Sequence, residues 1–340
     1  MSSKYDLVKV KILLNEHYYV FSRFLLSKML TFCNVPTAKS VTLALDLKKQ
    51  LVDSNQLEVS QVDLQRALFE LMTQYGYGGD HILLFGIMTD FYSQRVPLVV
   101  LIAGSGCTGK SSVAHLLGSK LSNHNVISTD VVSDLLEVVR GLKGKKTPME
   151  TAFGENFQDK EENLGDPIWV LPLDEGQLLK VWSKRCEEVA AAVDSDIKKA
   201  LLEGKVIVIE GSLLNLALFQ KYILRRVYAN DGVEAIVVPF LLTVPLREKV
   251  LAVETWLSSR SHFLSHLSSA QQVEVVLERF NAVEKEHGRR MEGVPNLMDR
   301  VLCFEYNNVH PAGTVTAMHQ VILDRIIGTL AASRKNPNCQ

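Results

Sequence analysis

The sequence predicts an α/β protein: a five-stranded parallel sheet covered by helices and preceded by a smaller, mainly helical unit. Three observations carry that expectation. From Pro97 onward, short continuous apolar runs alternate with amphipathic stretches, the pattern of strands buried on both faces. Before Pro97, apolar residues recur mostly at helical spacing. A chain of 340 residues, 47% of them hydrophobic, also exceeds what one ordinary core organises.

Residues 1–95 begin with a strand expected over Leu7 to Leu14. A helix carrying Phe21, Phe24, Leu25, Lys28 and Met29 follows, then a second from Thr37 with apolar residues at Val41, Leu45 and Leu47. A third starts near Ser60, where Asp63 completes a weak capping box, and continues through Leu64, Leu68 and Leu71 to the glycines Gly76, Gly78 and Gly79. His81 to Gln94 reads as one more helix, and the pattern changes at Arg95 to Pro97. The second domain, residues 96–330, carries five strand-like runs: PLVVLIA, NVIST, KVIVIE, AIVVPFLL and RVLCFEY. Between its second and third strands lies an excursion, about 131–205, with a basic patch, GLKGKK at Gly141 to Lys146, and a helix from about Glu175 to Glu203. Residues 331–340 read as a loose tail.

The charge balance, 37 basic against 38 acidic residues, offers no electrostatic case for a nucleic-acid backbone, so no nucleic acid is expected as a partner. Five dispersed cysteines read as reduced thiols. The start of the chain meets charge before an apolar run long enough for a signal sequence. No stretch reaches the roughly 20 apolar residues of a membrane span, so the expected setting is the cytoplasm, with the nucleus as the alternative. The nine histidines show no metal-ligand spacing; His262 and His266 share a helical interval without a third ligand.

The most informative string is GSGCTGKS, Gly104 to Ser111, placed directly after the first apolar run and directly before an amphipathic stretch. It fits the phosphate-binding loop pattern G-x-x-x-x-G-K-[ST] in the context that pattern needs. Glycines let backbone N–H groups turn inward, and the following helix offers its positive end. The nucleotide cradle is therefore expected from Gly104, Ser105, Gly106, Cys107, Thr108, Gly109, Lys110, Ser111 and Ser112. Lys110 would neutralise the β and γ oxygens of ATP, and the Ser111 hydroxyl would ligate Mg²⁺. The string does not separate ATP from GTP.

Two acids follow strands that should end beside this loop. Asp130 ends VISTD and could receive the proton of an acceptor hydroxyl; capping the next helix is the alternative. Glu210 ends VIVIE and could hold Mg²⁺ directly or through water; a plain loop carboxylate is the alternative. Arg247, Lys249, Arg260, Arg279, Arg289 and Arg290 fall where a lid over the nucleotide is expected, and Lys143, Lys145 and Lys146 could face an acidic substrate.

With these residues in view, the chain resembles the 2-phosphoglycerate kinase family of archaea and, more closely, the plant P-loop proteins known from the low-phytic-acid phenotype. The resemblance rests on YDLVKVKI and HYYVFSRFLLSKML near the start, QRVPLVVLIAGSGCTGKSS at the loop, NVISTDVVSDLL after it, and DIKKALLEGKVIVIEGSLL at the third strand. It implies a P-loop NTPase kinase fold, an N-terminal domain similar to nucleotide-sensing ATP-cone modules, and phosphorylation of 2-phosphoglycerate by ATP with Mg²⁺. Its plant branch implies a link to inositol phosphates. Carried over by position, it assigns Lys110, Ser111, Asp130 and Glu210 to the site, with Arg260 and Arg279 as catalytic arginines of the lid. Two departures stand out: Val253 replaces an expected lid histidine, and Gly141 to Leu173 follows no family pattern.

The sequence thus leads to a small-metabolite kinase whose partners are ATP and a phosphorylated metabolite. A catalytically weak, nucleotide-dependent regulator with a protein partner is the alternative. In the N-terminal domain, Lys9, Lys11 and Arg23 are candidates for contact with a sensed nucleotide, and a helical packing domain is the competing reading.

Overall fold

The computed structural model describes residues 4–121, 125–142, 168–171, 173–229, 232–258, 264, 266–307 and 310–335. The chain forms two compact units, residues 1–94 with 119–122, and residues 95–118 with 123–340.

The first unit holds α1 (Lys4–Leu7), β1 (Lys11–Leu14), β2 (His17–Val20), α2 (Arg23–Phe32), α3 (Thr37–Asp53), β3 (Glu58–Ser60), α4 (Gln61–Gln74) and α5 (Gly79–Ser93). The strand expected over Leu7 to Leu14 is shorter: Leu7 ends α1, Val8 to Val10 are irregular, and the pairing begins at Lys11. Two further strands complete a small sheet in the order β2-β1-β3, antiparallel then parallel. Asn15 makes the hairpin with φ at 50°, a left-handed conformation that asparagine tolerates better than most side chains. Ser60 caps α4 as anticipated, accepting the Asp63 N–H at 3.1 Å. Ile12, Leu30, Leu43, Leu47, Leu68 and Met72 form the unit's core.

The second unit is a parallel sheet of β4 (Leu98–Ala103), β5 (Val126–Ser128), β6 (Val206–Gly211), β7 (Ile236–Thr243) and β8 (Leu302–Glu305) in the order β5-β6-β4-β7-β8. Counted within this sheet the order is 2-3-1-4-5, so the first strand is central, and every residue of β4 is buried. This is the five-stranded parallel α/β sheet expected from the five apolar runs. Its helices are α6 (Lys110–Lys120), α7 (Thr129–Leu142), α8 (Glu175–Glu203), α9 (Gln220–Ile223), α10 (Leu246–Ser258), α11 (Ser269–Glu292) and α12 (Pro311–Lys335).

Local chemistry sets the long helices. A capping box of Asp174 and Gln177 opens α8, and Gly204 closes it in the left-handed region at φ 60°. The buried stripe of α8 runs Leu178, Val181, Trp182, Cys186, Val189, Val193 and Ile197, the 3–4 spacing of a helix laid on a sheet. Ser268 and Gln271 make a second capping box at α11. Among the described residues no helix is long and apolar enough to cross a membrane.

Register brings the carboxyl ends of the strands together. Ile102 and Ala103 of β4 lie beside Glu210 and Gly211 of β6, and Ser128 of β5 lies on the other side of Glu210. Gly211 has φ +148°, and a Cβ there would lie 1.7 Å from Thr129 Oγ1. Gly211→Ala is therefore expected to destabilise the unit by about 2–4 kcal/mol through combined strain and overpacking. A denaturation midpoint equal to that of the wild type would show that the close approach relaxes freely.

Candidate functional site

Strand β4 runs directly into Gly104, whose φ of +155° carries the chain past β7; a Cβ there would lie 2.5 Å from the Leu242 carbonyl oxygen. Cys107 and Gly109 also take positive φ, at 57° and 75°, which winds the loop around its centre before α6 begins. The other loop glycines are demanded by neighbours. A Cβ at Gly106 would lie 2.1 Å from the Phe280 ring, and one at Gly109 would lie 2.3 Å from that of Tyr306.

Lys110 begins α6 and is buried. Its ammonium donates to the Ser105 carbonyl and to Thr108 Oγ1 at 3.3 Å. Burial lowers its pKa, while the carboxylates of Asp130 and Glu210 oppose that shift. Ser111 Oγ donates to Glu210 Oε1 at 3.1 Å. Glu210 is 2% exposed, burial raises its pKa, and among the described residues Oε2 has no hydrogen-bond partner.

Asp130 belongs to the first turn of α7 rather than to the preceding strand, which ends at Ser128. It does not cap that helix from outside. Ser212 Oγ donates to its Oδ1 at 2.6 Å and the Ser212 N–H to its Oδ2 at 3.4 Å. The Ser212 carbonyl in turn accepts the Trp182 indole N–H at 3.1 Å. The acid therefore reaches the site on a fixed peptide.

Lys110, Ser111, Asp130 and Ser212 share one cavity of about 370 Å³, while Glu210 does not line it and is reached through Ser111. The loop lines it from Gly106 to Ser112, together with Asp130, Ser133, Asp134, Arg185 and Ser212, and with apolar walls from Trp169, Trp256 and Phe280. Gly104 and Ser105, expected in the cradle, do not line it; they border a separate space of about 140 Å³ beside His287. Ser105 Oγ donates to Glu284 Oε1, which also receives the buried Lys249 ammonium at 2.7 Å. Lys249 thus braces the loop through Glu284.

The remaining arginines divide. Arg279, expected as a lid arginine, donates instead to the carbonyls of Trp169 at 2.6 Å and Leu173 at 3.4 Å, and does not line the cavity. Arg289 and Arg290 both bond Glu286. Arg260 lies outside the described residues, as do Lys143, Lys145, Lys146 and the rest of residues 143–167 of the excursion. Val253 is fully buried in the main core. Arg185, Asp134 and Phe280 were not anticipated as site residues. Arg185 had a legible signal, a charge set within the apolar stripe of α8.

No protein-family model matches the chain. This chain is similar to archaeal 2-phosphoglycerate kinases. It is 26% identical over 199 residues to the enzyme of Methanococcus maripaludis strain C7, covering 58% of this chain and 61% of that one. Identity is 26% over 206 residues with that of Methanocaldococcus jannaschii, covering 60% and 62%. With that of Methanopyrus kandleri it is 25% over 224 residues, covering 65% and 63%. The chain thus spans about three fifths of the length of the curated relatives it matches. Two solved structures share 12% identity with it. A tRNA isopentenylpyrophosphate transferase from Bacillus halodurans has a TM-score of 0.36, covering 70% of this chain and 99% of its own. Shikimate kinase from Acinetobacter baumannii has a TM-score of 0.33, covering 70% and 97%.

One buried group gives the unit a pH dependence. His287 Nε2 accepts the Leu216 N–H at 3.2 Å, and burial pushes its pKa from 6.5 down to about 4. The neutral ring is the folded form, so its contribution is complete above pH 6.5 and is lost as pH falls through 4. Between pH 7 and 4 this group should remove on the order of 2–3 kcal/mol of stability. His287→Gln should be less stable at pH 7 yet lose less on acidification. Parallel urea-denaturation profiles for the two proteins would sink this assignment.

Proposed function

We propose that this chain binds ATP at the loop and transfers its γ-phosphoryl group to the hydroxyl of a small phosphorylated acceptor of the 2-phosphoglycerate kind. The observation that carries the reading is convergence: Lys110, Ser111 and the Ser212–Asp130 pair all border one cavity, and Ser111 ties it to the buried Glu210 behind. The similarity to archaeal 2-phosphoglycerate kinases supports the same chemistry.

Each residue has a derivable part. Lys110 exchanges the Ser105 carbonyl for phosphate oxygens and offsets charge on the transferred group. Asp130, its two oxygens held by Ser212, takes the proton of the acceptor hydroxyl as that oxygen bonds to phosphorus. The bond from phosphorus to the β–γ bridging oxygen breaks, and the electron pair leaves with ADP. The site fits a magnesium ion: Glu210 Oε2 is buried without a partner beside the Ser111 hydroxyl, and these groups would hold the ion directly or through water. Magnesium supplies neutralisation of the phosphate oxygens when bound with the nucleotide. Among the described residues no cluster of three or more His, Cys, Asp or Glu side chains forms a metal site of its own. Trp169 and Phe280, edge to face at 4.9 Å, add an apolar wall against water.

A nucleotide-dependent regulatory role is the second reading. It is favoured by Val253, which places a core side chain where the resembled lid carries histidine. The sensing role expected for the first unit has less support. Lys11 is paired with Glu58 at 2.9 Å, and the unit's cavity of about 240 Å³ has no Lys or Arg among its lining residues.

Lys110→Ala should lower phosphoryl transfer from ATP by at least about 10²-fold, and Asp130→Asn should lower kcat by about 10²–10⁴-fold with nucleotide affinity little changed. The assay follows label from ATP into a panel of glycerate phosphates and inositol phosphates. Tight ATP binding without turnover of any acceptor would move the conclusion to the regulatory reading.

A further inference from the structure

Lys110 has a partner in charge within the cavity. Among the described residues that line it, Lys110 and Arg185 are the two cations. Arg185 projects from the apolar stripe of α8 and its side chain is 7% exposed, a position that disfavours a charge unless its partners and purpose offset desolvation. Glu137 of α7 meets its Nη2, and the Glu137 side chain is itself 9% exposed. A second ion pair, Arg140 with Glu188 at 2.6 Å, joins the same two helices farther along. The guanidinium is therefore oriented rather than loose.

Helix α7 presents a matching stripe. Asp130, Ser133, Asp134 and Glu137 follow at intervals of three and four, so they share one helical face. The first three line the cavity, and the fourth holds Arg185. A planar guanidinium fixed by one carboxylate can still offer donors in a fork that suits another oxyanion.

We propose that Arg185 is the specificity-determining anchor of the acceptor, binding its carboxylate or phosphate and so presenting the neighbouring hydroxyl to Asp130, with Glu137 as the residue that orients it. This rests on the kinase reading above. Division of labour follows: Lys110 serves the nucleotide, and Arg185 serves the acceptor. The acceptor class is then a hydroxylated small molecule with at least one oxyanion close to the reacting hydroxyl.

The test is equilibrium titration of the full chain, loaded with a non-hydrolysable ATP analogue, against 2-phosphoglycerate, glycerate and glycerol 2-phosphate, together with steady-state kinetics. In Arg185→Lys the affinity and KM for 2-phosphoglycerate should weaken at least about tenfold while ATP affinity stays unchanged. Whichever of the two smaller probes shows the same weakening identifies the anchored group. Because the pair is buried, a charge exchange, Arg185→Glu with Glu137→Arg, controls for folding. It should recover the melting temperature relative to Arg185→Glu alone without recovering acceptor affinity. Acceptor affinity unaffected by Arg185→Lys, or restored together with stability by the exchange, overturns the anchor while leaving the kinase intact. A wild-type protein that binds ATP but neither binds nor phosphorylates any of the probes overturns the two together.

Discussion

Lys110 carries a charge into a place with almost no solvent, and much of the second unit is arranged around that charge. An ammonium buried this deeply loses hydration worth several kcal/mol unless carboxylates and carbonyl dipoles replace it. Asp130 and Glu210 supply the opposing charge, and the Ser105 carbonyl supplies the direct contact. Those acids come from segments far apart in sequence, so only the sheet can deliver them. With β4 central and β6 next to it in parallel register, Glu210 ends level with the strand that feeds the loop. The crossover through α7 then sets Asp130 against Ser212. An antiparallel neighbour would put its carboxyl end at the opposite edge and leave the ammonium uncompensated.

The loop's shape is fixed from outside as well as from within. Phe280 and Glu284 of α11 press on Gly106 and bond Ser105, and Tyr306 after β8 lies against Gly109. The glycines therefore answer two separate demands. Gly104 and Gly109 need left-handed or otherwise glycine-favoured backbone, whereas Gly106 needs the absence of a side chain beneath an aromatic ring. Lys249, buried and bonded to Glu284, links α10 to the same brace. Movement of α10 or α11 would thus be felt at the loop through contacts that have few alternative partners.

The parts legible in the sequence were those encoded locally. Five apolar runs announced the parallel sheet, because a strand covered on both faces has no polar side to interrupt it. GSGCTGKS announced a glycine-rich loop between a strand and a helix, and Ser60 announced the start of α4. By contrast, β2 shows only exposed residues and β3 has three positions, so neither has a periodicity to detect. The run VISTD places Asp130 at a strand end, yet β5 stops at Ser128 and the helix begins at Thr129. Phe280, Tyr306 and Glu284 act on the loop from more than 160 residues away, and no local pattern predicts such tertiary contacts. Arg279 illustrates a different limit. A basic residue in the right segment can be consumed by backbone carbonyls, here those of Trp169 and Leu173.

On the proposed kinase reading, the site's hydrogen bonds would make binding an exchange of partners. Lys110 is satisfied by a loop carbonyl, Ser111 by Glu210, and Asp130 by Ser212. Removing the Lys110 partner without replacement would strand a buried ammonium, at more than the about 1–3 kcal/mol of a neutral donor, whereas the exposed Ser111 hydroxyl can turn to solvent. On that reading, phosphate oxygens would replace a neutral carbonyl with charged acceptors, so the exchange at Lys110 would be favourable where mere removal is not. The contact between Ser212 and Asp130 differs, because it leaves the carboxylate in place and limits only its rotation. Orientation of the acid is therefore already present in the chain alone, and an acceptor of the proposed kind would need only to be held in register with it. That requirement falls on the remaining charged wall of the cavity, which α7 and α8 build between them.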